Sequence, residues 1–304
     1  MAQNCQQLRL NLPKRELIII KTKIKMNYLE QAYKFDVKKV TESLIQWIRD
    51  WFEKNGKGCK AVLGLSGGKD SLIVSALCAK AIGAENVIGV ALPDKGQSIN
   101  DADKIAEYLG IQYMCVPIDG ITSGFGSIWN KIGDEDFKWS KQSEQNIPPR
   151  VRMTMLYAIA QTYNGRVIGS CNLSENYIGY MTRWGDQASD CEPIGELTVT
   201  EVLAIGDYLG LPYEWVHKAP NDGLPHSEED EKKIGFSYAE LDDYIRKGIV
   251  PEGNLTNDDS VKKVDRINQM HKKNLFKLKL QPTFFINLYY YREPPVEIEN
   301  LCEK

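Results

Sequence analysis

Little in this 304-residue chain lends itself to acid–base or thiol chemistry. It has three histidines, His217, His226 and His271, and no H-E-x-x-H, Ser-His-Asp or Cys-His arrangement can be read around them. His217 and His226 are expected in surface or packing roles. Seven cysteines (Cys5, Cys59, Cys78, Cys115, Cys171, Cys191 and Cys302) are scattered without a C-x-x-C pair. That scatter argues against a zinc site and a disulfide framework and fits a reducing compartment, so a cytoplasmic location is expected. The formal charge of −3 supplies no field toward nucleic acid or an anionic membrane, and neither partner is expected. Long apolar runs are scarce as well. Within the basic stretch 1–25, Leu17-Ile18-Ile19-Ile20 is too short for a secretory core or a bilayer span. Residues 1–25 are therefore read as a dispensable extension or an upstream start, and patterned sequence begins at Met26.

What remains is ordinary globular material, 42% apolar and 26% charged, enough to bury a substantial core. Val40, Leu44, Trp47, Ile48 and Trp51 recur at helical spacing between Tyr28 and Phe52, and Asn55-Gly56 is a helix stop. Strand and helix then alternate. Strands are expected at Ala61–Leu65, Val87–Leu92, Tyr113–Ile118 and Val167–Ser170, with helices at Ser71–Ile82, Asn100–Leu109 and Pro149–Thr162. Such alternation predicts an α/β fold, a doubly wound parallel sheet flanked by helices. Ligands of these sheets lie beyond the carboxyl ends of the strands, where Ser66-Gly67-Gly68 and Ser170-Cys171-Asn172 both fall. Asp119–Ile147 and Pro220–Lys233 look unlike core, and each is read as either a lid or a plain surface loop.

The most informative segment is Ser66-Gly67-Gly68-Lys69-Asp70-Ser71, between the first strand and the helix that follows. Glycines let backbone N–H groups close around phosphate oxygens, and a helix N-terminus adds donors and partial positive charge. Asp70 is placed to hold a metal ion among those phosphates. The Walker spacing is absent. The segment resembles instead the S-G-G-x-D-S loop of the ATP pyrophosphatases.

Further stretches extend the resemblance: Gly169–Asp186, Asp190–Val202, Asn146–Met153, Gly235–Tyr238 with Leu241–Tyr244, and Met270–Lys277. Together they resemble the NAD synthetase family in its ammonia-using form, over roughly residues 28–285 and in the expected order. The resemblance implies an adenine nucleotide alpha hydrolase-like, Rossmann-like domain at 26–285 and a C-terminal tail at 286–304. It implies ATP phosphates on Gly64, Leu65, Ser66, Gly67, Gly68, Lys69, Asp70, Ser71 and Ser170. Magnesium would sit on Asp70 and Glu175, although Glu175 read alone is a helix-start acid. Deamido-NAD would be held by Arg150, Arg183, Asp190, His271 and Lys272, with Asp70 and Asp190 catalytic. Asp190 would accept from a ribose hydroxyl or help position ammonia.

Five positions depart from the family pattern. Ala91 stands where arginine is common, Ser170 for threonine, Arg183 for lysine, Val199 for lysine and Asn221 for threonine. The first and fourth of the positions just named for lost cations, Ala91 and Val199, leave phosphate charge to Lys69, Lys95 or Lys218.

The implied reaction is attack of an already ionised carboxylate on the α-phosphorus of ATP, then of ammonia on the acyl adenylate, releasing pyrophosphate and AMP. Alignment and charge stabilisation are its main demands. Cys171 is expected as a small buried filler. The sequence flanking 28–285 is too short for a glutaminase domain, so free or separately supplied ammonia is the expected donor. The family implies a homodimer. Trp47, Trp51 and Phe52 serve either its interface or the core, and core packing is expected. Other readings are another S-G-G-x-D-S adenylating ligase, tRNA-lysidine or GMP synthetase-like, and a non-catalytic ATP-binding module.

Overall fold

Ala61, Val62 and Leu63 are all fully buried, so one short strand presents apolar side chains to both faces of a sheet. The computed structural model describes residues 33–97, 100–129, 140–218, 230–249 and 258–279. The strands are β1 (Lys60–Gly64), β2 (Val87–Ala91), β3 (Gln112–Cys115) and β4 (Gly165–Val167), in spatial order β3-β2-β1-β4. All three pairings are parallel, with Val62 opposite Ile88 and Val167, and Val90 opposite Met114. The chain winds outward from β1 through β2 to β3, then returns to place β4 on the other side of β1. The order reverses between β1 and β4, and a crevice opens there at the carboxyl ends.

Helices cover both faces. On one side, α1 (Val37–Asn55), α2 (Lys69–Ile82), α3 (Asn100–Leu109), α7 (Val199–Tyr208) and α8 (Tyr213–Val216) pack around Leu63, Leu72, Ile73, Ile105 and Ile205. On the other, α5 (Lys141–Thr162) lays Val151 and Ala160 against Val62, Ile88 and Val167, beside α4 (Asp119–Trp129). A third apolar cluster joins α6 (Leu173–Ile178), α9 (Asp230–Ile234), α10 (Tyr238–Lys247) and α11 (Asp258–Asn274) through Ile178, Ile234, Leu241 and Ile267. The predicted doubly wound sheet is therefore present. Among the described residues no helix is long and apolar enough to cross a membrane.

Several boundaries differ from the sequence reading, each for a local reason. The first helix begins at Val37 because Asp36 accepts from the Lys39 N–H and caps it. Helix α5 starts at Lys141, well before the expected Pro149. Ser140 caps it, and the chain continues helically through Pro148 and Pro149. Strands β3 and β4 are shorter than expected. Past β4, the Ile168 N–H still donates to Val62 O at 2.9 Å, and Ile168 also bridges Cys191. Phe52 is buried and Trp51 packs on the core as expected, whereas Trp47 is 45% exposed. The two segments read as lid or loop contain α4, the start of α5 and α9. Residues 130–139 and 219–229 lie outside the described residues, as do the extension at 1–25, the tail at 286–304, His226 and Asn221.

Candidate active site

Strand β1 ends at Gly64, and Leu65 is still held to the sheet by its N–H to Val90 O at 2.8 Å. Leu65 is 1% exposed, so Gly64 and Leu65 anchor the turn and Ser66 stands exposed at its rim. Gly67 adopts φ +80°, and a Cβ there would lie 3.3 Å from Asp101 Cβ. Gly68 is extended at the N-cap of α2 and has no side chain to obstruct its amide. The turn is closed on itself: Gly68 N–H donates to Ser66 Oγ at 3.2 Å, and Ser71 Oγ donates to Gly68 O at 3.0 Å. Lys69 and Asp70 begin α2 two residues earlier than expected, which brings Asp70 into the first turn, where the helix dipole favours its charge.

The second wall follows β4. Asn172 caps α6 in a reciprocal box, accepting from the Glu175 N–H at 3.0 Å while Glu175 Oε2 accepts from the Asn172 N–H at 3.2 Å. Asn172 also donates from Nδ2 to Asp70 Oδ1 at 3.4 Å, tying the two walls together. Between them lies a cleft of about 220 Å³. Ser66, Gly68, Asp70 and Ser71 line one side, Ser170, Cys171 and Glu175 the other, with Asp186 at its edge.

Burial, and then the neighbouring Asp70 carboxylate, push Glu175 up to about 8. Lys69, 7% exposed, donates from Nζ to Asp70 Oδ2 at 2.8 Å. Burial opposes its charge, but the Asp70 and Glu175 carboxylates outweigh that and raise its pKa. Asp186 faces the open cleft and accepts from the Thr182 N–H at 3.0 Å, and the protein crowded behind it raises its carboxyl.

The residues expected at the dinucleotide lie farther out. Arg183 stacks between Trp184 (4.9 Å) and Phe276 (5.3 Å) and donates from Nη2 to Lys279 O at 3.1 Å. Arg150 Nε donates to Arg183 O at 3.4 Å, so the two arginines are adjacent. His271 stacks on Tyr177 with ring centres 4.1 Å apart, its Nδ1 2.8 Å from Tyr177 O, and Lys272 next to it is exposed. Asp190 does not line the cleft. Its Oδ2 accepts from the Val167 N–H at 2.8 Å and its Oδ1 from the Tyr157 hydroxyl at 3.3 Å.

The two positions where the resemblance leads one to expect a cation, Ala91 and Val199, are both buried. Ala91 is 1% exposed at the end of β2. Beyond it Arg152, reaching from α5, donates from Nε to Leu92 O at 2.9 Å and from Nη2 to Gln97 Oε1 at 2.7 Å. Asp94 and the cleft residue Asp186 are its carboxylate neighbours. Val199 is 6% exposed and packs with Ile178, Phe236 and Leu241. Lys218 pairs with Asp101 behind the glycine turn, and Lys95 is exposed in a turn at φ +45°. Sequence reasoning passed over Arg152 and Asp186 as site residues. Arg152 carried one signal, a cation at a presumed helix start where the dipole disfavours it.

A family model described as NAD synthase matches residues 40–281. The NH(3)-dependent NAD(+) synthetase of Archaeoglobus fulgidus is 36% identical over 248 residues, 80% of this chain and 95% of that protein. Among solved structures, the NMN synthetase of Francisella tularensis superposes with TM-score 0.71 at 30% identity, covering 83% of this chain and all of that one. The NH3-dependent NAD synthetase of Campylobacter jejuni, solved in complex with nitrate, gives TM-score 0.66 at 29% identity with the same two coverages. A glycine turn and paired carboxylates at the switch point of a parallel sheet thus coincide with sequence likeness over most of the chain, and the chain belongs to the NAD synthase family.

Proposed function

We propose that this chain amidates deamido-NAD to NAD, using ATP and ammonia and releasing AMP and pyrophosphate. The observation that carries the reading is the pair Asp70 and Glu175, facing one cleft beneath a glycine turn. Magnesium fits this pair. Burial raises Glu175 first and the Asp70 carboxylate second; a divalent cation between the two carboxylates relieves the second, and magnesium binds through one or two carboxylates, substrate phosphates and water. Among the described residues no group of three or more His, Cys, Asp or Glu is arranged to hold a metal by itself. Asp70 and Glu175 would hold the ion, which when bound neutralises phosphate charge and eases departure of pyrophosphate.

The rest falls to the chain. The substrate carboxylate is ionised at neutral pH and needs no protein base. The N–H groups of the turn and the first turn of α2 orient the phosphates, and Lys69 adds a cation beside them. Arg152 supplies charge at the end of β2, where Ala91 has none. Arg150 and Arg183 hold the anionic dinucleotide, the planar guanidinium of Arg183 stacked on Trp184. Ser170 reaches the nucleotide from the β4 wall. His271 and Lys272 extend the dinucleotide site along α11, and Asp190 acts as a positioning residue through the Val167 N–H. A cytoplasmic homodimer is part of the proposal, supported by the free thiols of Cys59, Cys78, Cys115, Cys171 and Cys191 among the described residues and by the exposed Trp47.

A second reading, amidation of the pyridine mononucleotide, draws on the likeness to the Francisella tularensis NMN synthetase. One assay separates the two: deamido-NAD or nicotinate mononucleotide with ATP, ammonium or glutamine, and magnesium, resolving NAD, nicotinamide mononucleotide, AMP and ADP. NAD and AMP in equal amounts from deamido-NAD support the proposal. Product from the mononucleotide alone supports the second reading, and ADP or no product rejects both.

A further inference from the structure

Glu175 lines the cleft, whereas its chain neighbour Ser174 is fully buried and reaches toward α7 and α10. The Ser174 hydroxyl donates to Asp242 Oδ1 at 2.5 Å, and the same oxygen accepts from the Val199 N–H at 3.0 Å. Asp242 is 4% exposed on α10. Its other oxygen, Oδ2, accepts from the Thr200 N–H at 2.7 Å and from the Thr200 hydroxyl at 2.6 Å. Beside this group the Leu173 N–H donates to Leu197 O at 2.8 Å. The starts of α6 and α7 are thereby joined through backbone and side chain together.

Val199 and Thr200 open α7, and the N–H groups of a helix's first turn have no partner within the helix. Ser174 and Asp242 satisfy these two. Burial raises the Asp242 carboxyl, while the three hydrogen bonds it accepts and the positive end of the α7 dipole work against that rise. One turn further along α10, Arg246 donates from Nε to Glu201 Oε1 at 2.8 Å and from Nη2 to Glu201 Oε2 at 2.7 Å. Arg246 and Asp242 together fix α7 on α10, and Ser174 extends that hold to α6.

We propose that Asp242 is a positioning residue: acting through Ser174, it seats the first turn of α6 on the start of α7 and so aims Glu175 into the phosphate cleft for a divalent cation. This rests on the reading of Glu175 as a magnesium carboxylate in the amidation. Magnesium demands near-octahedral geometry, so its affinity depends on groups that orient the carboxylates holding it. The capping box already fixes the Glu175 side chain to its own helix. Asp242 fixes that helix relative to the rest of the site.

The test titrates the full-length protein and its variants with manganous ion alone, counting free ion by its electron paramagnetic resonance signal, and records the thermal midpoint of each. Asp242→Asn keeps the size of the side chain but cannot accept at both ends, and it binds manganous ion about tenfold more weakly. Ser174→Ala cuts the link to α6 and weakens binding severalfold. Thr200→Val removes a hydrogen bond to the same carboxylate on the side away from Glu175. It lowers the thermal midpoint about as much as Ser174→Ala yet leaves the affinity within about twofold of the wild type. If Asp242→Asn does not fold, the comparison of Ser174→Ala with Thr200→Val decides by itself. Equal affinities in Ser174→Ala and Thr200→Val, or losses that simply follow the thermal midpoints, overturn the positioning role. A manganous site absent from the wild type or insensitive to Glu175→Gln overturns it as well. A wild type that makes no AMP yet shows the graded loss of manganous ion retains the positioning role and rejects the amidation reading instead.

Discussion

Lys69 donates to the carboxylate of its own chain neighbour, Asp70, at 2.8 Å, and 7% of Lys69 is exposed. An ammonium so enclosed has given up most of its hydration, and it is tolerated because Asp70 and Glu175 both face it. The pair places one cation and the carboxylate proposed to hold the metal on the first turn of a single helix. The proposal gives its two members separable roles at the phosphates.

Asp70→Asn keeps the shape of the turn and removes the charge. It is expected to lower AMP release by about 10²–10³-fold, the usual cost of losing one electrostatic contributor at a reacting phosphate. Its thermal midpoint stays near that of the wild type. Full turnover in this variant would exclude Asp70 from the reaction.

Glu175→Gln separates capping from metal binding. Glutamine can still reach back to the Asn172 N–H, so the box at the start of α6 persists and stability changes by about 1 kcal/mol at most. Turnover falls and the magnesium concentration for half-activity rises. Titrating magnesium in both proteins checks this, and identical curves would assign Glu175 to capping alone.

Gly67→Ala places a methyl at φ +80°, where L residues are strained, and 3.3 Å from Asp101 Cβ. The loop must shift, and about 1–2 kcal/mol of strain falls on the phosphate-binding conformation. Calorimetric titration with an ATP analogue should show roughly tenfold weaker binding, with near-wild-type resistance to urea.

Val199→Lys restores the side chain common in the family but directs it into the cluster of Ile178, Phe236 and Leu241. The loss of stability is about 3 kcal/mol or more, read from urea unfolding, with no gain in ATP affinity. A stable variant that binds ATP more tightly would show that position 199 faces the nucleotide.

Arg152→Met retains the aliphatic stem and removes the cation anchored to Leu92 O and Gln97. Half-saturating ATP should rise about tenfold while ammonium saturation holds, since a charge-assisted contact contributes on that scale. Arg152→Lys recovers only part of it, because one ammonium nitrogen cannot occupy both places from which Nε and Nη2 donate.

Alternation of apolar strands with glycine-terminated helices was enough to infer the parallel sheet, because a strand buried on both faces has to be apolar throughout. The phosphate turn was legible for a related reason: it is continuous in sequence, and Gly67, Asp70 and Ser71 act through backbone conformation and near neighbours. Pairing of Asp70 with Glu175 could be reached only through family resemblance, since more than a hundred residues of chain separate them. Arg152 reads as an ordinary helix charge until α5 is laid across the end of β2. Val199 was recognised as a missing cation, but its burial depends on four helices meeting around it. Local hydrogen bonding and hydrophobic periodicity are written along the chain, so the sequence alone determined the sheet, the turn and the carboxylate in the first turn of α2. Which charges converge, which acceptors meet which donors and which side chains lose water depend on contacts between distant segments, and those only the tertiary structure decided.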